Sequence, residues 1–122
     1  MRAAPPNRRR ASERKGRIAE TGAAWWLRLK GWRILDRRVR TPVGEIDLIA
    51  RRGSLVAFVE VKSRASGAAL DFAIDARRLA RVAAAAELLS ARYAGPGDDI
   101  RIDVILIAPG RTLRHIENAW IG

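Results

Sequence analysis

Three carboxylates and one lysine interrupt two adjacent apolar segments in the middle of the chain. Glu45 and Asp47 lie in the first segment, and Glu60 and Lys62 lie at the end of the second. Burying carboxylates among apolar residues is costly unless another charge compensates them. Hard cations such as Mg²⁺ prefer carboxylate and carbonyl oxygens. The pattern therefore indicates either a divalent-cation site or an ion pair of Glu60 with Lys62, with Asp47 solvated at a sheet edge.

The two segments have the length and composition of β-strands joined by a turn. They cover residues 43–50 and 55–61, and the sequence Arg51-Arg52-Gly53-Ser54 between them is rich in turn formers. Side chains alternate between the two faces of a strand, so Glu45 and Asp47 share a face, and Glu60 and Lys62 share a face. The sequence therefore predicts a β-hairpin that carries its charges on defined faces.

The register of this hairpin decides whether the charges meet. A four-residue turn places Ala50 opposite Leu55, and paired positions then run in opposite directions away from the turn. Directly opposed residues lie about 5 Å apart and diagonal ones about 7 to 8 Å apart, so all four charged side chains would converge on one face. A slip of one residue would separate them. The expected pairs are Asp47 with Phe58 and Glu45 with Glu60.

The overall charge of the chain points to a polyanionic partner. Its 122 residues carry a formal net charge of +11, which favours nucleic acid first and a phospholipid surface second. The absence of cysteine excludes disulfides, thiolate metal sites and cysteine nucleophiles. A single histidine argues against zinc sites and histidine-dependent nucleases. No apolar stretch is long enough to span a bilayer, and we expect no membrane partner.

The N-terminal segment divides into an arm and a helix. Residues 1–13 lack apolar periodicity and contain the run Arg8-Arg9-Arg10, which predicts a disordered basic arm that either contacts phosphates or is a solvated tail. Residues 14–122 are expected to form a single domain. Residues 14–30 predict an amphipathic helix that ends at Gly31. Its expected core stripe is Ile18, Gly22, Trp25, Trp26 and Leu29.

The remaining segments predict further strands and one more helix. A first strand is expected at 32–39 and a loop of small residues at 65–69. Asp75 is suited to cap a second helix, which would end at Gly95-Pro96-Gly97. Residues 100–108 have the near-continuous apolar pattern of a central strand, and 112–120 predict a last strand. The order αβββαββ predicts an α/β fold with a mixed central β-sheet flanked by helices.

Five polar residues in the second half of the chain have either a binding or a structural interpretation. Arg77, Arg78 and Arg81 would reach the hairpin and suit phosphate if the second helix packs beside it, and otherwise they form a solvated helix face. Asp103 interrupts an apolar strand, and we interpret it as structural, paired with an arginine. His115 is interpreted as a structural hydrogen-bonding residue.

The charged hairpin also carries a recognisable signature. The runs Gly44-Glu45-Ile46-Asp47-Leu48-Ile49-Ala50 and Phe58-Val59-Glu60-Val61-Lys62-Ser63-Arg64 resemble the YraN family of small bacterial proteins. That family is similar to the restriction-endonuclease-like, PD-(D/E)xK nuclease superfamily, and especially to archaeal Holliday junction resolvases. The resemblance covers residues 16–120 and implies a restriction-endonuclease-like core and a location in the bacterial cytoplasm. By analogy with the dimeric resolvases, it also leaves a homodimer open.

The resemblance also implies site residues. Mg²⁺ or Mn²⁺ would be held by Asp47, Glu60 and the backbone carbonyl of Val61. Glu20 begins an E-x-x-A-x-x-aromatic-L pattern and would add an accessory carboxylate, although it could instead pair with Arg17 or Arg28. The residues assigned to catalysis are Asp47, Glu60, Lys62, Glu20 and Glu45.

The chain departs from the family pattern at two positions. Arg38 stands where the family often has an asparagine, which questions any role assigned to that asparagine. Arg78 replaces the usual lysine. An arginine keeps the charge and adds a planar fork suited to phosphate, so the exchange preserves phosphate binding better than proton transfer.

Two main functions remain open at this point. The first is a metal-dependent nuclease that hydrolyses DNA, including branched DNA, with DNA favoured over RNA. The second is a non-catalytic nucleic-acid-binding module that retains the nuclease fold, and a scaffold for acidic proteins or lipid is a third. The expected phosphate-binding residues are Arg64, Arg77, Arg78, Arg81, Arg8, Arg9 and Arg10.

Overall fold

The helices and strands follow the predicted order. The structure, a computed structural model, describes residues 6–63, 76–108 and 113–120, with side chains described from residue 16 onward. The seven described elements follow the order αβββαββ, which confirms the predicted order. They are α1 (Pro6–Leu29), β1 (Arg33–Thr41), β2 (Gly44–Arg52), β3 (Leu55–Ser63), α2 (Ala76–Tyr93), β4 (Asp99–Ile107) and β5 (Arg114–Ile116).

The strands form one mixed sheet. Its five strands lie in sequence order, β1-β2-β3-β4-β5. The first three pair antiparallel as two successive hairpins, β4 pairs parallel to β3, and β5 returns antiparallel. A parallel pair requires a long crossover, which α2 supplies between β3 and β4. The predicted mixed sheet is therefore confirmed.

The two helices pack against different groups of sheet residues. Leu79, Val82 and Leu89 of α2 pack with Phe58 and its neighbours in one apolar cluster. Leu27 of α1 packs in a second cluster, which also holds residues of β2, β3 and β4. The central strands β2 and β3 contribute to both clusters and are therefore covered on both sides. This packing holds in place the strands that carry the acidic residues.

The first helix begins earlier than expected. We expected a disordered arm through residue 13, whereas α1 starts at Pro6 and includes the run Arg8-Arg9-Arg10. Proline suits a first helical position because its missing N–H has no intrahelical partner there, and arginine and alanine favour helix. Residues 1–5 lie outside the described residues. Neither described helix is long and apolar enough to cross a membrane.

The buried face of α1 differs from the predicted stripe. Ile18, Trp25 and Leu29 are exposed by 65%, 59% and 80%, so the expectation that they form the core is wrong. Small residues such as Ala23 take their place, because a methyl side chain lets the helix lie close to the sheet. Apolar periodicity identified the helix, but both of its faces carry apolar residues, so periodicity alone could not choose the one that packs. The buried residues are Ala19, Ala23, Ala24 and Leu27.

The turn of the charged hairpin is shorter than predicted. Arg52 pairs with Leu55 and Leu48 with Val59, so the loop is Gly53-Ser54 and the expected four-residue turn is wrong. Gly53 has a φ of 62°, a left-handed conformation that glycine adopts without steric cost. The observed register differs from the expected one by two residues. A shift of two restores every side chain to its original face, so the charged residues still share a face.

Candidate active site

The acidic hairpin borders a cleft against the start of α2. The cleft has a volume of about 530 Å³. Glu45 and Asp47 enter it from β2, Glu60 from β3, and three arginines from α2. The structure thus brings together residues that are distant in sequence. The cleft is lined by Gly44, Glu45, Asp47, Glu60, Arg77, Arg78, Arg81 and Val82.

Asp47 is the most perturbed carboxyl group of the cleft. Its Oδ2 accepts a hydrogen bond of 2.8 Å from the backbone N–H of Val61. The pKa of Asp47 is raised from 3.8 to about 7, mainly by burial and next by the negative charge of Glu60. The hydrogen bond from Val61 acts in the opposite direction. A carboxylate close by disfavours the ionisation of a neighbouring carboxyl group. The protein alone therefore stabilises the ionised form of Asp47 poorly.

Glu60 is buried and paired with cations. Glu60 is 4% exposed, and its Oε1 accepts a hydrogen bond of 2.8 Å from Arg78 Nε. Lys62 Nζ lies 3.8 Å from the same oxygen. The ion pair of Glu60 with Lys62 that we considered from sequence is thus present, but the arginine of α2 makes the shorter contact. Arg78 bridges the helix to the end of β3.

The two accessory carboxylates occupy different surroundings. Glu45 lines the cleft, and its Oε2 lies 3.5 Å from Arg40 Nε in an exposed pair. Glu20 pairs with Arg38 at 2.7 Å, and not with Arg17 or Arg28, the partners considered in the structural alternative.

The acidic residues do not all meet at one point. The charge of Glu20 contributes to raising the pKa of Asp47, which indicates proximity without direct contact. Within residues 6–63, 76–108 and 113–120, no three His, Cys, Asp or Glu side chains form a group that could hold a metal. Asp47 and Glu60 are therefore the acidic pair to consider as ligands.

Arg38, which pairs with Glu20 beside the cleft, has an unusual backbone conformation that sequence reasoning missed. Its backbone φ is 51°, a value that residues other than glycine, asparagine and aspartate rarely adopt. It lies between the pairs Arg37 with Leu48 and Val39 with Ile46, hence across from Asp47. An asparagine, which the YraN pattern often has here, adopts this conformation at lower cost. The departure from asparagine was the available signal for a special backbone position.

A close backbone approach joins the hairpin to α2. A Cβ atom added to Gly44 would lie 3.1 Å from the carbonyl oxygen of Arg81. Few real Cβ contacts are this short, so the absence of a side chain at Gly44 lets β2 and α2 meet at the cleft.

Several predicted contact residues lie outside the description of the site. Arg64 is outside the described residues, as are the side chains of Arg8, Arg9 and Arg10. Arg77 and Arg81 line the cleft and are exposed. The side chain of Arg78 is 52% exposed although it contacts Glu60. The described arginines therefore present cationic groups at the mouth of the cleft.

Asp103 is structural, as predicted. Arg101 donates two hydrogen bonds of 2.8 Å to its carboxylate, His115 Nε2 lies 2.8 Å from Oδ2, and the N–H of Asn118 donates at 2.9 Å. Burial acts to raise the pKa of Asp103, but these hydrogen bonds outweigh it and the net pKa is lowered. The network ties β4 to β5 and the turn after it. The structural interpretations of Asp103 and His115 are confirmed.

The donor set of the cleft fits a hard divalent cation. Two carboxylates face one volume, and the backbone of Val61 is held there by its bond to Asp47. Mg²⁺ typically takes one or two carboxylates and keeps several waters. A cation between the acids would also remove the repulsion that raises the pKa of Asp47. The residues present therefore fit Mg²⁺ or Mn²⁺ with much of the coordination shell left to water.

Comparison with known sequences identifies the family. The model of uncharacterised protein family UPF0102 matches residues 19–107. The chain belongs to this family. A UPF0102 protein of Sphingopyxis alaskensis is 62% identical over 112 residues, which cover 92% of this chain and 97% of that protein. The matched residues include the hairpin and α2, so they include the whole described cleft.

Relatives at two levels of identity extend along nearly the full chain. A UPF0102 protein of Erythrobacter litoralis is 63% identical over 113 residues, 93% of this chain and 97% of its own. A UPF0102 protein of Paramagnetospirillum magneticum is 47% identical over 131 aligned positions that cover 98% of both chains. The UPF0102 family, also called YraN, is thus confirmed as the family that the hairpin signature indicated.

Proposed function

We propose that this UPF0102 protein is a divalent-cation-dependent nuclease that hydrolyses phosphodiester bonds of DNA. The observation that carries the proposal is the pairing of Asp47 with Glu60 at the base of a cleft whose rim is cationic. The raised pKa of Asp47 indicates that the charge of this carboxylate lacks full compensation within the protein. Perturbed acids in a cleft are typical of functional sites.

The two acids and the neighbouring lysine would have separate tasks. Asp47 and Glu60 would hold Mg²⁺ or Mn²⁺, together with the carbonyl of Val61 as the family resemblance implies. The bound cation would supply an acidified water and offset charge on the phosphoryl oxygens. Lys62, whose ammonium lies 3.8 Å from Glu60, would orient the attacking water or stabilise the negative charge of the transition state.

The arginines of α2 would position the substrate. Arg77, Arg78 and Arg81 line one side of the cleft, and guanidinium groups bind phosphate oxygens through two parallel N–H bonds. Such contacts orient the backbone of a nucleic acid without reading its sequence. Arg64 and the arginines at the start of α1 would add further phosphate contacts. The net charge of +11 supports a polyanionic substrate.

The proposed fold relationship narrows the substrate. The order αβββαββ and the mixed sheet are compatible with a restriction-endonuclease-like core, which we propose for this chain. Because the YraN signature resembles that of junction resolvases, branched DNA is the first substrate to test. Glu20 and Glu45 would tune the acid pair electrostatically, since their described ion pairs are with Arg38 and Arg40.

The test is cleavage of branched and linear DNA in Mg²⁺ or Mn²⁺. We expect the wild type to cut, Asp47→Ala and Lys62→Ala to lose activity by at least about 100-fold, and Glu87→Ala to retain it. Glu87 is an exposed acid of α2 that lies outside the cleft, and it controls for a change in charge alone. Equal cutting by all four proteins would identify a contaminating nuclease and refute the proposal.

One observation favours a second candidate, a non-catalytic nucleic-acid-binding module. The 2.8 Å contact of Arg78 with Glu60 neutralises one of the two ligand carboxylates without any metal. If that pair is permanent, the cleft binds phosphates and no cation. This alternative predicts salt-dependent DNA binding that persists in Asp47→Ala and is unaffected by chelators.

A further inference from the structure

Arg78 lies where a divalent cation would displace it from Glu60 and where a phosphate would compete with Glu60 for its guanidinium. Its Nε lies 2.8 Å from Glu60 Oε1, on the carboxylate that would hold the divalent cation. The same side chain is 52% exposed and borders the cleft. It therefore has access both to the buried acid and to a ligand that enters from solvent.

The contact with Glu60 supplies a positive charge at the carboxylate where a cation would bind. Glu60 is 4% exposed, so its negative charge needs a nearby positive charge or strong hydrogen bonds. In the structure that charge comes from Arg78, with Lys62 farther away at 3.8 Å. A metal ion at Glu60 would repel the guanidinium and take over its role. The guanidinium and the cation are thus alternatives at the same carboxylate.

A released Arg78 would remain at the cleft. It lies in the first turns of α2, whose position is fixed by Leu79 and Val82 in the core. The helix backbone need not move when the guanidinium leaves Glu60, because half of the side chain is already exposed. A guanidinium that leaves Glu60 would then be placed to bind a phosphate that enters the cleft beside Arg77 and Arg81.

We infer that Arg78 acts as an exchangeable counter-ion, which holds Glu60 when no cation is bound and passes to a substrate phosphate when a divalent cation takes its place. The inference rests on the proposed function and concerns its regulation. A phosphate that draws Arg78 away frees Glu60 for the cation, and a cation that displaces Arg78 frees it for phosphate. By linkage each ligand then strengthens binding of the other by the same factor.

The first experiment is calorimetric titration of the full chain with Mn²⁺ in the absence of DNA. Arg78→Gln removes the competitor, so we expect its affinity for Mn²⁺ to rise about three- to tenfold over wild type, the range that a partly exposed ion pair can supply. Arg77→Gln is the matched control. It removes the same charge from the next residue of the same helix and cleft, and we expect it to change the affinity less than twofold.

The second experiment measures coupling between the two ligands. Binding of a nuclease-resistant phosphorothioate DNA duplex is followed by fluorescence anisotropy, with and without saturating Mn²⁺. We expect Mn²⁺ to tighten DNA binding in the wild type and in Arg77→Gln, and to tighten it by a smaller factor in Arg78→Gln. Arg78→Lys, with circular dichroism to check folding, is expected to retain part of the coupling because it keeps the charge.

The outcomes separate this inference from the function on which it rests. Equal gains in Mn²⁺ affinity for both glutamine variants would show general electrostatics and overturn the role of Arg78, as would unchanged or weaker affinity in Arg78→Gln. Either result leaves cation binding and hydrolysis standing. If no variant binds Mn²⁺, both the exchange and the metal-dependent function fail, and the non-catalytic binding module is supported.

Discussion

Replacing Asp47 with asparagine should stabilise the protein at neutral and alkaline pH. The pKa of Asp47 is raised from 3.8 to about 7 in the folded chain, so the unfolded chain gives up this proton more readily. As the pH rises from about 4 to about 7, ionisation therefore favours unfolding. Asparagine cannot ionise, and its side-chain oxygen can still accept the hydrogen bond from Val61. The ionised side chain of Asp47 thus lowers the free energy of unfolding.

The structure sets the size of this effect. The difference between 3.8 and about 7, at about 1.4 kcal/mol per pH unit, corresponds to an upper limit of about 4 kcal/mol. We expect Asp47→Asn to exceed the wild type in free energy of unfolding by up to that amount at pH 8, and to match it near pH 4. Urea titrations followed by tryptophan fluorescence at both pH values measure the difference.

A control and a ligand complete this test. Asp99→Asn changes an exposed carboxylate at the start of β4, and it should leave the pH dependence of unfolding close to that of the wild type. Added Mn²⁺ should stabilise the wild type more than Asp47→Asn, because a ligand that binds only the folded state raises its stability. An Asp47→Asn protein that is no more stable at pH 8, or whose advantage does not change with pH, would refute the reasoning.

Four further substitutions, in three experiments, test the packing of the fold. Asp103→Ala removes the hydrogen bonds that Arg101, His115 and Asn118 make to the buried carboxylate. It should cost about 1 to 3 kcal/mol of unfolding free energy, measured by urea titration; a loss below about 0.5 kcal/mol would contradict the structural role. Gly44→Ala places a Cβ 3.1 Å from a carbonyl oxygen of α2 and should cost about 1 to 3 kcal/mol while weakening Mn²⁺ binding; unchanged affinity would show that the contact does not shape the cleft. Leu27→Ala should cost about 2 to 5 kcal/mol and Leu29→Ala less than about 0.5 kcal/mol, since they are 1% and 80% exposed; similar thermal midpoints would refute the assigned helix face.

The sequence alone determined the elements and the identities of the acidic residues. Strand length, turn chemistry and apolar periodicity predicted αβββαββ, because these patterns depend on neighbouring residues. They also placed Asp47 and Glu60 on one face of a hairpin. The predicted register was wrong by two residues, yet the shared face survived, since side chains alternate with a period of two. Asp103 was recognised as structural because a lone acid in a buried strand requires a partner.

The tertiary structure decided which of the predicted residues contact each other. Both sides of α1 carry apolar residues, and only packing against the sheet selects Leu27 and buries the small alanines in place of Trp25 and Leu29. The contact of Arg78 with Glu60 joins residues from a helix and a strand, and no local pattern encodes that distance. The raised pKa of Asp47 likewise requires burial and a second acid close by. Local sequence fixes which groups are available, whereas their charges interact only at distances that the folded chain sets.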